Sequence, residues 1–465
     1  MSISGGFGQA PNEGDSLSID TTFFEMDTAD TPSFESIDLS FDEMGEGFDM
    51  PSGGVVYGQK ASTSFWDSYI ADPMRLEVKY EIAYKVAKPD RIMNNRTSFR
   101  VEYSKFLFNK VTLQVDARVF AFLKNDHRTR NTTVWLNDSP SEAEISFAGR
   151  ARDAYLQTSF NKTSIKVGYQ TLSWGESEFA TVTDEISPLD YREPLTLNID
   201  ELRLCQFMFT VDQYSSFGKW STFFTPDPRF NQHPKKGTGY YYAPFGEGIN
   251  YHIEGSDRNL FEYGVRWKKT FGKSDIGVMA ARLVNNEYTM RMDTVETITQ
   301  RALPYFVSGI TFNRAINNFL IKGEVAIKSP KAYNNASFQV VKKNALDASL
   351  GVDYSLTNTF KLSMEAVNYH VIDWDEDILG VPENNYMLLF VMGKQLMKND
   401  LSISWVTMYN GPYTSFFNLL TTSYNLNDQA TVYFDVLVPI SDEVKSGFYR
   451  YRDQKQVGLR FQYQF

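Results

Sequence analysis

The last nine residues of the chain alternate apolar and polar side chains without interruption, from Val457 to Phe465. Neighbouring side chains of a β-strand point to opposite faces, so Phe461, Tyr463 and Phe465 share one apolar face and Gln462 lies on the other. Such a segment is typical of a terminal strand in a membrane-spanning β-barrel. The alternative is the edge strand of a soluble β-sandwich.

The same alternation recurs along the chain, which favours the barrel. It is clearest near residues 76–86, 111–119, 262–268, 346–354 and 432–438. Repeated alternating segments about ten residues long, separated by turn residues, are the signature of a membrane barrel. A soluble sandwich rarely needs so many long strands. The sequence therefore predicts an all-β fold, a transmembrane antiparallel β-barrel.

The connections between the segments predict the strand count and the topology. The strand segments number about eighteen, with sixteen as the alternative, and short connections between them alternate with long ones. Short connections fall near 108–110, 161–162, 271–272, 357–358, 398–399 and 427–428, and long ones at 123–143, 175–199, 226–257, 285–303, 330–344, 370–384 and 439–454. Bacterial outer-membrane barrels have short periplasmic turns and long external loops, so we expect both termini in the periplasm.

Composition agrees with an outer-membrane location in a Gram-negative bacterium. No apolar run is long enough to cross a bilayer as a helix, and 36 Phe and 27 Tyr suit aromatic girdles at the two membrane interfaces. Residues Met1–Gly6 lack the basic and apolar regions of a signal peptide, so we expect the sequence of the exported protein with an added start Met. The expected partners are outer-membrane lipid and the barrel assembly machinery, which would recognise the terminal strand with Phe461, Tyr463 and Phe465. We expect no nucleic-acid partner.

Residues 1–60 differ in composition from the barrel at 61–465. Residues 1–50 hold twelve acidic side chains, and no Lys or Arg precedes Lys60. Acidic and apolar residues mixed in this way usually stay disordered alone. Three hypotheses remain: a solvated tail, a plug that pairs with lumen cations, or a docking segment for a periplasmic or inner-membrane transporter component. The apolar residues that would dock or plug include Phe23, Phe24, Phe34, Phe41 and Phe48.

The sequence offers no pattern for catalysis or for a metal. The histidines, His127, His233, His252 and His370, lack zinc-ligand spacing, and no nucleophile elbow or phosphate-binding loop is present. Cys205 has no partner for a disulfide or a thiolate cluster. We therefore predict no catalytic residue, no metal, no cofactor and no enzyme activity.

Charged residues at inward positions predict the lining of the lumen. The candidates are Arg118, Arg266, Lys268, Lys322 and Glu324. Opposite charges lie close together along these strands, so we expect them to brace the wall rather than to select ions, which needs rings of one sign. The Tyr-rich loop at 226–257 either lines a constriction for amphipathic cargo or packs on itself outside.

One stretch goes beyond the general barrel pattern. Residues 168–177 read Gly-Tyr-Gln-Thr-Leu-Ser-Trp-Gly-Glu-Ser, an Ile-Ser-Pro-Leu-Asp segment follows at 186–190, and Glu-Leu-Arg stands at 201–203. This pattern resembles a large group of uncharacterised proteobacterial outer-membrane β-barrels and, more distantly, the alginate-export barrels. The resemblance spans about 75–465, and its motif residues are Gln170, Trp174, Gly175, Glu176, Pro188 and Asp190. We interpret Trp174 as ending a strand at the external rim, where an indole suits the interface belt.

The resemblance implies an association with RND-superfamily inner-membrane transporters and the movement of hydrophobic or amphipathic molecules. The leading hypothesis is therefore an outer-membrane channel that works with a transport partner in lipid trafficking. A general or substrate-specific diffusion porin is the main alternative, since eighteen strands enclose an aqueous channel. The third hypothesis is a scaffold barrel that holds a partner protein in its lumen.

Overall fold

The computed structural model describes residues 73–108, 110–129, 145–180, 182–195, 202–242, 250–254, 260–294 and 297–465. The segment 1–60, with Phe23, Phe24, Phe34, Phe41 and Phe48, lies outside the described residues. In the described part, no helix is both long enough and apolar enough to cross a bilayer.

Antiparallel strands build one closed sheet of eighteen strands. They are β1 (Met74–Lys85), β2 (Arg91–Leu107), β3 (Val111–Phe122), β4 (Ser146–Phe160), β5 (Thr163–Gln170), β6 (Gln206–Ser215), β7 (Gly218–Thr225), β9 (Glu262–Phe271), β10 (Ser274–Val284), β13 (Pro304–Ile316), β14 (Phe319–Asn334), β15 (Val340–Thr357), β16 (Phe360–Val371), β17 (Asn384–Leu396), β18 (Leu401–Gly411), β19 (Ser415–Asn427), β20 (Ala430–Ser441) and β21 (Gln456–Gln464).

A small second sheet comprises β8 (Asn250–Ile253), β11 (Thr289–Thr294) and β12 (Thr297–Arg301), which belong to the long connections. Single 3₁₀ turns stand at Met397–Asn399 and Tyr449–Tyr451.

The first and last strands close the barrel. Tyr80 on β1 lies opposite Thr97 on β2 and, on its other side, opposite Phe461 on β21. Closure leaves no unpaired edge, which is the condition for a β-structure to span a bilayer. The predicted transmembrane antiparallel barrel and its count of eighteen strands are both confirmed.

The tightest turns lie at one end of the barrel, which we call the turn end. The long connections lie at the other end, the loop end, together with the shorter links at 86–90, 335–339 and 412–414. Tight turns at the turn end use positive φ angles at Asn161, Asn317 and Gly272, the conformation that closes a two-residue hairpin. The prediction of a long loop at 330–344 is wrong. There β14 and β15 continue as a paired ladder through Asn334 and Val340, because hydrogen bonding extends beyond the segment in which apolar alternation is visible.

Apolar side chains cover the outer surface of the barrel. Leu459 and Phe461 of the terminal strand are exposed, whereas Gln462, which follows Phe461, is buried. Exposed aromatic residues adjoin the tight turns at Phe108, Phe160, Phe217, Phe271 and Phe319, and others stand near the loop end at Tyr84, Phe147, Tyr263, Phe306 and Phe416. Two such bands match the aromatic girdles of a membrane barrel.

Candidate functional site: the barrel lumen

Paired charges line the lumen wall formed by β1, β2 and β3. A guanidinium nitrogen of Arg118 lies 2.7 Å from a carboxylate oxygen of Glu77, and Arg100 donates two hydrogen bonds to Asp116 at 2.9 and 2.8 Å. All four side chains are buried. Burying charges is tolerated when they are paired and hydrogen-bonded, so this wall is braced by ion pairs.

The connection between β5 and β6, described at residues 171–180, 182–195 and 202–205, turns into the barrel, and we call it the inserted loop. Its described apolar residues, including Trp174, Val182 and Ile186, are buried and pack against inward-facing wall residues such as Phe223 and Met208. The loop can leave the wall because β5 ends at Gln170 and β6 begins only at Gln206.

The interpretation of Trp174 as a rim residue in the membrane interface is wrong. Its side chain is 2% exposed and packs edge-on against Phe223, with the ring centroids 5.3 Å apart. A large apolar ring is stabilised more by burial among lumen side chains than by an interfacial position. Trp174 therefore holds the inserted loop against β7 from the inside.

A buried carboxylate on β14 anchors the first turn of the inserted loop. One oxygen of Glu324 accepts hydrogen bonds from the backbone N–H groups of Glu176 and Ser177, and the other accepts from the N–H and hydroxyl of Thr183. A Cβ atom on Gly175 would lie 3.1 Å from Glu324 Oε1. The glycine of the motif thus gives this carboxylate close access to the loop backbone.

Two other lumen candidates, Arg266 and Lys268 on β9, pair with a loop carboxylate. Their nitrogens lie 3.0 and 3.1 Å from Glu176 Oε1, and Asn313 donates to Glu176 Oε2 at 3.0 Å. The motif residue Glu176 therefore ties the inserted loop to β9 and β13.

Lys322 lies within a cluster of carboxylates. Its Nζ atom pairs with Glu178 of the inserted loop and lies 3.2 Å from Asp353 Oδ2. Glu365 on β16 accepts a hydrogen bond from the Ser177 hydroxyl. Burial raises the pKa of Glu178 to about 7, although the nearby Lys322 charge opposes the shift.

The remaining motif residues fix the two ends of the inserted loop. Gln170 Nε2 donates to the Met208 carbonyl at 3.1 Å, and the Leu204 N–H donates to the Pro188 carbonyl at 2.7 Å. Asp190 accepts two hydrogen bonds from the Arg192 guanidinium, and the charges of Arg192, Arg150 and Arg128 lower the pKa of Asp190 against the effect of burial. The structure assigns all six motif residues to the architecture of this loop.

A second anchor lies further along the inserted loop, at Glu185. Lys328 on β14 and Lys331 each place Nζ 2.9 Å from Glu185 Oε1, and the Tyr305 hydroxyl donates to the same carboxylate. Burial opposes ionisation, but the two lysines and the tyrosine lower the pKa of Glu185 to about 2. Glu185 is therefore ionised at neutral pH.

Part of the lumen wall of β16–β19 is apolar, a feature that was not predicted from the sequence. We call the apolar panel the set of buried inward-facing residues Val367, Met387, Leu389, Val391, Val406, Met408 and Phe417. Register places Leu389 opposite Met408, and Met408 opposite Phe417, so the panel is continuous across three strands. Phe448 adds a ring 6.2 Å from that of Phe417.

Part of the Tyr-rich loop enters the loop end of the barrel. Tyr240 is buried, packs 5.1 Å from the ring of His127, and its hydroxyl accepts a hydrogen bond from Gln456 at 2.8 Å. The stretch 243–249 of the same loop is outside the described residues.

The described residues contain no group of three or more His, Cys, Asp and Glu side chains arranged to hold a metal ion. Cys205 is buried, and burial raises the pKa of its thiol.

Comparisons with known proteins agree with the architecture. The sequence profile of a family described as "Protein of unknown function (DUF1302)" matches residues 116–465. No curated protein matches the chain. The fold is that of outer-membrane porins.

Two solved structures from Acinetobacter baumannii show the similarity. OccAB4 is 10% identical with a TM-score of 0.51, and the match covers 84% of this chain and 97% of that chain. OccAB1 is 9% identical with a TM-score of 0.50, covering 86% and 97%.

Proposed function

This chain belongs to the DUF1302 family of proteins of unknown function, and from that premise we propose that it is an outer-membrane channel for amphipathic or lipid-like molecules. It would have its turn end in the periplasm and work with a periplasmic or inner-membrane transport partner. The lumen is proposed to have no catalytic role.

The apolar panel is the observation that carries the choice of cargo. The interior of a membrane barrel is ordinarily polar, yet Leu389, Met408 and Phe417 stand on the inward face of adjacent strands. Each Å² of apolar surface that is removed from water contributes about 25 cal/mol of binding free energy. These side chains are buried in the same apolar cluster as the inserted loop, so the wall would lower the free energy of an alkyl chain once the side chains that cover it move aside, whereas it offers nothing to a hydrophilic solute.

The panel is bordered by polar side chains on its own strands. On β18 and β19, the opposed pair Ser404 and Thr421 lies next to the panel towards the turn end. The opposed pair Asn410 and Ser415 lies next to it towards the loop end. An apolar surface bordered by polar rows favours molecules that have both an apolar and a polar part.

The experiment is to extract the full chain from outer membranes in polymer-bounded lipid discs and to identify bound lipid-like molecules by mass spectrometry. We expect the wild type to retain an amphipathic species that is reduced about tenfold when Leu389→Gln and Met408→Gln are combined, because two polar amides disrupt the apolar surface. Ser404→Gln is the matched control, since it places the same side chain on the neighbouring polar row. Equal retention by all three proteins would remove the support for amphipathic cargo.

A diffusion porin is the second candidate, favoured by the braced ion-pair wall of Arg118, Glu77, Arg100 and Asp116. Liposome swelling with small sugars separates the two functions. Rapid swelling that is the same in wild type and in the panel variant would support the porin.

A partner would bind residues 1–60, the segment that the sequence analysis proposes for docking. A photo-crosslinking residue at Phe41 in living cells should then give an adduct with a periplasmic or inner-membrane protein, and the same residue at Phe108, exposed at the turn end, should not. If Phe41 yields only adducts within the barrel, the segment is a plug and not a docking site.

A further inference from the structure

A cavity lies between the inserted loop and the wall near the loop end. Leu189 and Tyr191 of the loop face Tyr305 on β13, Tyr333 on β14 and Tyr369 on β16 across a space in which the centre of a water-sized sphere can occupy about 90 Å³. Four tyrosines and four asparagines contribute to the lining, the asparagines being Asn231, Asn285, Asn286 and Asn385.

The charged groups at this cavity are already paired with one another. Lys328 lies between Glu185 and Asp347, and Lys331 also pairs with Glu185. Glu287 accepts a hydrogen bond from His233 at 2.9 Å. A charged ligand group would therefore have to compete with an internal ion pair, which is costly in a buried site.

Neutral groups, in contrast, are left for a ligand. In the described part of the chain, the hydroxyls of Tyr191 and Tyr333 and the side-chain amides of Asn285 and Asn385 have no hydrogen-bond partner. Each hydroxyl can donate and accept, and each amide offers two donors and an acceptor. The ring of Tyr191 is stacked 5.8 Å from that of His233, which fixes the position of its hydroxyl.

The cavity lies next to the apolar panel along β16 and β17. Tyr369 lies opposite Asn385, and the next inward pair along the same two strands is Val367 opposite Met387. Successive inward residues on a strand are about 7 Å apart, a distance shorter than the length of an alkyl chain. The panel side chains are buried, so one molecule would contact the neutral polar groups and the panel together once the side chains that cover the panel move aside.

We propose that this cavity binds the uncharged, hydroxyl-bearing headgroup of an amphipathic molecule, a glycoside-like head, while the apolar chain lies on the panel. The inference rests on the proposed function and names the chemistry of the head. Tyrosine hydroxyls and asparagine amides match the donors and acceptors of ligand hydroxyl groups, and the tyrosine rings offer flat apolar faces to a sugar ring.

The test is equilibrium dialysis of the full chain in lipid nanodiscs against three radiolabelled probes below their micelle concentrations, with empty nanodiscs subtracted. The probes share an octyl chain and differ in the head: octyl β-glucoside, octyl phosphate and octyltrimethylammonium. We expect the glucoside to bind at least tenfold more tightly than either charged probe.

The variant that tests the head removes two hydroxyls, Tyr191→Phe with Tyr333→Phe. We expect it to weaken glucoside binding about tenfold and to leave the two charged probes unchanged, since each lost hydrogen bond is worth roughly a factor of three. The matched control is Tyr413→Phe with Tyr449→Phe, which removes two hydroxyls from loops away from the cavity and should change nothing.

The outcomes separate this inference from the proposed function. If all three probes bind alike and only the Leu389→Gln and Met408→Gln variant weakens them, the head inference is overturned and the amphipathic channel stands. Tighter binding of a charged probe also overturns it. If free glucose competes as well as octyl glucoside, the link to the panel is wrong. If no probe binds, both proposals fail.

Discussion

Thr183 of the inserted loop gives both of its donors to Glu324 of the barrel wall, the backbone N–H at 3.0 Å and the hydroxyl at 2.6 Å. The other oxygen of Glu324 accepts two further backbone N–H groups of the loop. One carboxylate thus organises a turn that begins 148 residues earlier in the sequence. The position of the loop in the lumen depends on this contact.

Replacing Glu324 with Gln should loosen the inserted loop. The amide has one acceptor oxygen and places an NH₂ group against two loop donors, and unsatisfied buried donors cost on the order of 3 kcal/mol in total. We expect a lower midpoint of thermal unfolding, read from the heat-modified mobility of the barrel in detergent gels, and easier proteolysis within 171–205. Glu376→Gln, at an exposed loop position, is the control. Equal proteolysis of the two variants would contradict an anchoring role.

The free energy of unfolding of the barrel should fall as the pH rises, because of the raised pKa of Glu178. Its pKa is raised from 4.5 to about 7 by burial, so the folded state binds a proton that the unfolded state has lost. The resulting stabilisation is complete below about pH 4.5 and is lost as the pH rises through 7. We expect a fall of about 3 °C in the unfolding midpoint between pH 5 and pH 8, and a flatter profile for Glu178→Gln. The same slope in both proteins would show that another group titrates.

Glu185 should have the opposite effect. Its pKa is lowered from 4.5 to about 2 by Lys328, Lys331 and Tyr305, so its contribution is present above pH 4.5 and is lost as the pH falls through 2. Glu185→Gln should reduce the free energy of unfolding on the order of 2 kcal/mol at pH 7. The difference from wild type should shrink towards pH 2, which a pH series of chemical unfolding would measure. A constant difference at every pH would contradict the linkage.

The barrel could be predicted from the sequence because lipid on one side and lumen on the other impose a period of two on every strand. The inserted loop could not, since its apolar residues follow no period and its partners, such as Glu324 for Thr183, lie far away in the chain. The sequence predicts Trp174 at the rim for this reason. It shows where the alternation of β5 ends, but it does not show that the chain then turns inward.

The apolar panel does correspond to a feature of the sequence, which a search for alternating residues does not detect. Residues Tyr386–Met392 are apolar throughout, which means that both faces of β17 avoid polar side chains. A strand with lipid on one face and a polar lumen on the other would alternate there. Continuous apolar character in a predicted barrel strand therefore indicates a lumen wall that is covered or that binds apolar molecules.

The acidic segment offers the last prediction, that residues 1–55 reduce ion flow through the barrel. A chain beginning at residue 56 should show larger single-channel steps in planar bilayers than the full chain, because the segment's carboxylates would pair with cations of the lumen. A full-length chain with the twelve acidic residues of 1–50 changed to Asn and Gln distinguishes the effect of the segment's charge from the effect of its size. If ion pairs hold the plug in the lumen, this variant should also show larger steps. Equal steps from all three chains would eliminate the plug and leave the tail and docking hypotheses.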